Sequence, residues 1–119
     1  MHQIGETGRV TLEGTIFEVE LKSHHQGSTY QQCEEDCPEG WQIPTYFLLQ
    51  SMRNDSAIRD QFGLKTTWEY VQNPDAISRG NGYVARFYAI SVGAFLNCSR
   101  VPADRDASLG VRFAREISQ

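Results

Sequence analysis

The chain has 119 residues, 39% of them hydrophobic and 11% aromatic, with a formal net charge of −4. That length fits one domain spanning 1–119, with enough apolar content for a core that needs no staples. The acidic balance argues against nucleic-acid binding, and no apolar run approaches membrane-spanning length, so neither a nucleic-acid partner nor membrane insertion is expected.

In chain order, Arg9–Leu21 reads as strand, turn, strand. Gly14 sits at the turn, Phe17, Val19 and Leu21 face one way, and Glu18 and Glu20 face the other. Ser23–Gly27 is a polar loop holding His24 and His25. Ser28 with Gln31 forms a capping-box pattern opening a helix that Pro38 and Gly40 stop, with Tyr30, Cys33 and Cys37 on one stripe. Thr45 caps a second helix to about Arg53, with Phe47, Leu48, Leu49 and Met52 as its buried side. A third helical piece, Ala57–Phe62, ends at Gly63. Thr66–Val71 is rich in strand formers, and three further strands are expected at Tyr83–Tyr88, Ala94–Asn97 and Leu109–Arg115. Strands flanking two or three short helices give an α+β class with a mainly antiparallel sheet.

Residue usage changes sharply along the chain. From Asn73 to Arg115, 43 residues contain no Lys, Glu, Gln, Trp or Met, while the other 76 hold 2 Lys, 9 Glu, 9 Gln, 2 Trp and 2 Met. Even spreading would put these types at roughly a third of the stretch. Charge is also uneven. Residues 73–115 carry six Arg against three Asp, net +3, and the remainder is net −7. A solvated surface accounts for this as well as an acidic partner does.

Four chemistries come into question for these residues. Cys33 and Cys37, four apart, with His24 and His25 nearby, read first as small buried side chains, second as a disulfide and third as metal ligands. Cys98 has no base in its own region, His2 is expected at a mobile terminus, and Asp104 with Asp106 reads as a polar turn, so no catalytic set is expected. Arg79-Gly80-Asn81-Gly82 lacks a phosphate-loop pattern and reads as a turn. The fourth is a ligand platform. Tyr83, Val84, Arg86, Phe87, Tyr88, Ile90, Ser91, Asn97, Ser99 and Arg100 mix aromatic, cationic and hydrogen-bonding side chains of the kind found at recognition surfaces.

The same region carries a family resemblance. Arg79-Gly80, Gly93-Ala94-Phe95, Arg105 and Leu109-Gly110-Val111-Arg112-Phe113 resemble the C-terminal part of C-type-lectin-fold proteins. The branch is the one shared by formylglycine-generating enzymes and the variable proteins of diversity-generating retroelements. Gly40-Trp41-Gln42-Ile43-Pro44-Thr45 resembles the GWRLPT segment of related bacterial domains, with Gln42 and Ile43 in place of Arg and Leu. The resemblance implies a C-type lectin fold with a variable region at about 79–112. In that family, template adenines are randomised, mostly at Asn codons ending in C. Such codons cannot yield Lys, Glu, Gln, Met or Trp, five of the seven types missing here; the other two, His and Thr, they can yield.

The resemblance further implies one exposed variable face formed by Tyr83, Val84, Arg86, Phe87, Tyr88, Ile90 and Ser91, with Asn97, Ser99, Arg100, Asp104 and Asp106 as additions. Gly93, Ala94, Phe95, Leu109, Gly110, Val111 and Arg112 would be scaffold, with Arg112 tying loops by several hydrogen bonds. The function implied is receptor recognition, that is, attachment to a protein or other surface target from a virion or cell surface, by a monomer or an oligomer. The calcium-binding Glu-Pro-Asn triplet of sugar-binding lectins is absent, and the paired catalytic cysteines of formylglycine-generating enzymes have no counterpart. No metal, cofactor or enzymatic activity is therefore expected. The alternative is a metal-binding or enzymatic lectin-fold domain using Cys33, Cys37, His24 and His25.

Overall fold

Two-residue turns with positive φ at both positions match the twist of paired strands. Glu13 (φ 50) and Gly14 (φ 82) form such a turn between β1 (Thr7–Leu12) and β2 (Thr15–Glu20), which pair antiparallel from Leu12↔Thr15 outward. The computed structural model describes residues 2–72, 84–90, 93–100 and 107–117, with only the backbone described at Val84, Cys98, Ser99 and Arg100. Within these residues the domain is α+β, with two three-stranded antiparallel sheets and three helices.

Helix α1 (Tyr30–Asp36) starts one residue later than the sequence pattern indicates. The Ser28 backbone N–H donates to the His25 carbonyl (3.0 Å), closing the preceding turn. The reciprocal capping box therefore falls on Thr29 and Gln32. Helix α2 (Tyr46–Asn54) is capped by Thr45, whose hydroxyl accepts from Leu48 N. It buries Leu48, Leu49 and Met52, but Phe47 is 75% exposed, contrary to expectation. At about 100° per residue, Phe47 points roughly 150° away from the centre of that apolar stripe. Asp55 ends α2 and caps α3 (Ser56–Phe62), and Gly63 (φ 66, ψ 35) closes α3 in the left-handed conformation.

The second sheet runs in the order β3 (Thr67–Tyr70), β4 (Val84–Ile90), β5 (Gly93–Arg100). The last strand, β6 (Ala114–Ile117), joins the first sheet beside β2. It begins later than the expected Leu109–Arg115. The residues before it form a parallel bridge Glu69↔Gly110 to the second sheet and an antiparallel bridge His24↔Val111, and β6 itself opens with an antiparallel bridge Gln42↔Ala114. Leu109 through Ala114 are all buried, so the alternation expected there does not separate an inner from an outer face. A Cβ on Gly110 would lie 2.6 Å from the His24 carbonyl oxygen, so only glycine permits this crossing.

The apolar core has two parts. One packs Val19, Leu49, Met52, Phe62, Phe87 and their neighbours between the helices and the sheets. The other gathers Cys33, Ile43, Tyr70, Leu109, Val111 and Phe113. Arg112, 2% exposed, lies buried where these elements meet. Its Nε and Nη2 donate to the two carboxylate oxygens of fully buried Glu69 (2.7 and 2.8 Å), and Nη1 donates to the carbonyls of Glu20, Leu21 and Phe62 (3.3, 3.2 and 3.0 Å). This is the loop-tying role expected of it, here linking the end of β2, the end of α3 and β3.

Candidate ligand-binding face

In a strand, successive side chains point to opposite faces. In β4 this sends Ala85, Phe87 and Ala89 into the core and leaves Arg86, Tyr88 and Ile90 half-buried on the other side. The expectation that Phe87 shares the exposed face is therefore corrected. It is fully buried, and its ring centroid lies 6.0 Å from that of Tyr46. Arg86, Phe87 and Tyr88 are consecutive, so one face cannot present all three.

Cross-strand register assembles the outer face. Tyr88 pairs with Trp68 on β3 and with Phe95 on β5. Trp68 and Tyr88 stack with centroids 4.4 Å apart, and Tyr88 meets Phe95 at 5.3 Å. The Arg86 guanidinium carbon lies 5.0 Å from the Trp68 ring centre and 5.9 Å from that of Tyr88, within cation–π range. Asn97 stands opposite Arg86 on β5. The row is bounded where Tyr70, paired with Arg86, donates its hydroxyl to the Ser28 carbonyl (2.9 Å) and packs edge-on against Tyr30. Phe95, expected as scaffold, is 46% exposed, because its pairing with Tyr88 places it on this outer face.

The structure thus brings Arg86, Tyr88, Ile90 and Asn97 to one sheet and adds Trp68, which the sequence reading placed only in a strand. Its register with Tyr88 depends on strand pairing across the intervening chain and leaves no local signal. Tyr83, Ser91, Asp104 and Asp106 lie outside the described residues, as do the side chains of Val84, Ser99 and Arg100.

Comparison with family models, curated proteins and solved structures finds no match to this chain.

Cys33 and Cys37 carry free thiols, Cys33 buried and Cys37 half-buried. Burial, with help from Asp36 and Glu34, pushes the Cys33 thiol up to about 12; burial, Glu20 and Glu34 push Cys37 up to about 11. Neither is a ready nucleophile. In a Cys98→Ser variant at pH 8, both thiols should react with a disulfide reagent at least about tenfold more slowly in the folded protein than in denaturant. The scarcity of thiolate is only partly offset by the greater nucleophilicity of a more basic thiol. Equal rates in both conditions would show that these cysteines are not shielded.

The histidines do not join the cysteines. His24 and His25 gather instead with His2, which is packed rather than mobile: its N–H donates to the Asp36 carbonyl (3.2 Å) and its ring stacks on His24 at 3.8 Å. Glu20, on the face of β2 opposite Val19, is buried beneath them. Burial alone would raise its carboxyl, but hydrogen bonds from His24, His2 and the Phe113 backbone N–H outweigh that and hold it at about 2. Among the described residues, no helix is long and apolar enough to cross a membrane.

Proposed function

We propose that this protein is a ligand-binding module, a C-type-lectin-fold variable protein of a diversity-generating retroelement that displays a diversified face for attachment to a protein or other surface target, from a virion or cell surface. The observation that carries this reading is the partly exposed row of Trp68, Tyr88 and Phe95 on the face of the sheet away from Phe87, with the half-buried Arg86 guanidinium against it. Aromatic and Arg side chains dominate binding hot spots, and a preformed sheet presents them with little ordering cost. Two further features support it. The stretch 73–115 lacks the five residue types that adenine randomisation cannot produce. The row also divides: Trp68, before that stretch, and Phe95, read as scaffold, form a fixed platform, while Arg86, Tyr88 and Asn97 are among the positions read as variable.

Sequencing the surrounding DNA tests the diversification. The expected result is a near-copy of the 79–112 coding region, differing chiefly at adenines, beside a reverse-transcriptase gene. Absence of such a repeat from a complete genome would remove that part of the proposal. Randomising single positions in a displayed library tests the face. Positions 86, 88, 90 and 97 should accept most residues with expression retained, whereas 87 and 112 should not. Intolerance at the first four would assign them to the framework instead.

A further inference from the structure

Away from the ligand face, three imidazoles converge where the chain after β2 passes α1. His25 has a left-handed backbone (φ 62), rare for a non-glycine residue, and this turns it so that consecutive histidines meet. The Nδ1 atoms of His24 and His25 lie 2.6 Å apart. One nitrogen from each of His2, His24 and His25 falls in a group no more than 4.8 Å across.

The Nε2 atoms of all three rings are engaged by carboxylates. His2 Nε2 lies 2.8 Å from Glu20 Oε2, His24 Nε2 lies 2.5 Å from Glu20 Oε1, and His25 Nε2 lies 2.9 Å from Asp36 Oδ2. The Glu20 carboxylate also accepts from the backbone N–H groups of Phe113 (2.8 Å) and Gly5 (3.4 Å). Hydrogen bonding holds the carboxyls of Glu20 and Asp36 below their ordinary range, and an ionised carboxylate can only accept, so each Nε2 carries the proton. A neutral imidazole protonated at Nε2 presents a lone pair at Nδ1. Two such lone pairs 2.6 Å apart repel unless a cation lies between or beside them. Each ring is thus fixed as metal-ligating histidines usually are, with the far N–H donating to a carboxylate and the near nitrogen free.

We propose that His2, His24 and His25 form a binding site for a divalent transition ion of the zinc type, ligated through Nδ1, with Glu20 and Asp36 orienting the rings. Imidazole suits such ions, and Zn–N distances are about 2.0–2.1 Å. Tetrahedral ligands on one ion therefore sit about 3.4 Å apart, so the widest pair must draw in by up to roughly 1.4 Å and the Nδ1 atoms of His24 and His25 must part by about 0.8 Å. The histidines are half-buried, with side chains 16–21% exposed, so small ring rotations are available. A cleft of about 320 Å³, lined by His2, Glu20, Leu21, Lys22 and His24 among others, opens beside the cluster and leaves room for water or a small ligand in a fourth position. This site differs from the Cys33–Cys37 pairing weighed from the sequence: neither thiol belongs to the cluster.

The test uses the full chain without a histidine tag, stripped with chelator and then titrated with zinc by calorimetry and with cobalt(II) by visible absorption. The expected result is one saturating equivalent of each metal, a higher unfolding temperature with zinc, and no thiolate-to-cobalt charge-transfer band. His24→Gln and His25→Asn should each weaken zinc binding at least about tenfold while the circular dichroism stays native; Asn tolerates the left-handed backbone at 25. Asp36→Asn, which keeps all three ligands, should weaken it by about 10–100-fold. Cys33→Ser and Cys37→Ser should leave it unchanged. No saturable binding by the wild-type chain would overturn the proposal and leave a shared proton as the cation between His24 and His25. A charge-transfer band, or folded histidine variants that bind as tightly as wild type, would overturn it too. The readouts do not involve the ligand face, so the two proposals stand or fall separately.

Discussion

Arg112→Ala is expected to lower the free energy of unfolding by about 3–5 kcal/mol, the usual cost of removing one partner from a buried ion pair. Small domains are stable by only about 5–15 kcal/mol, so this single change removes a large part of the total. The cost has two sources. Glu69 is fully buried and would lose both charge-assisted hydrogen bonds, leaving an uncompensated charge. The carbonyls of Glu20, Leu21 and Phe62 would lose the donor that holds three elements together. Arg112→Lys should recover little, since a lysine cannot form the two-pronged contact and reach the carbonyls as well. Urea unfolding followed by Trp fluorescence measures this. The double variant Arg112→Ala with Glu69→Ala should lose clearly less than the sum of the single changes, because no buried charge is then stranded. A loss below about 1 kcal/mol for Arg112→Ala, or additive effects in the double variant, would mean the pair is not buried as described.

Phe87→Ala should cost a similar amount, about 3–5 kcal/mol, as the price of a cavity in the main core. Its neighbour gives the control. Tyr88→Ala removes a half-buried ring and its stacking partners, interactions worth about 0.5–1.5 kcal/mol per aromatic pair, and should leave the fold intact. The same urea titrations compare the two. If Tyr88→Ala proved the more damaging, the inner and outer faces of β4 would be reversed and the aromatic row would belong to the core. The contrast bears on function directly. A position that can be diversified must tolerate loss of its side chain, and the strand period assigns that property to 86, 88 and 90 but denies it to 85, 87 and 89.

Local features were legible where the interacting groups lie within a few residues of each other. Thr45 and Leu48 N, Gly63 at a helix end and Gly14 at a hairpin turn all act over a few positions, and the helices and the hairpin they bound stand close to where their patterns placed them. The period-two rule even contained the correction to Phe87, since three consecutive strand residues cannot share a side. Burial of polar groups was not legible, because their partners are distant in the chain. Glu20 alternates with apolar residues as a surface carboxylate would, and it is buried only because His2, 18 positions before it, and Phe113 N, 93 after it, arrive at its oxygens. Arg112 and Glu69 are 43 residues apart, and Trp68, Tyr88 and Phe95 belong to three separate strands. Residue type and spacing set which short segments fold and how they end. Which charges go inside, which rings face out and which histidines meet depend on the crossing of distant segments, since desolvation is offset only by partners that the whole fold brings into reach.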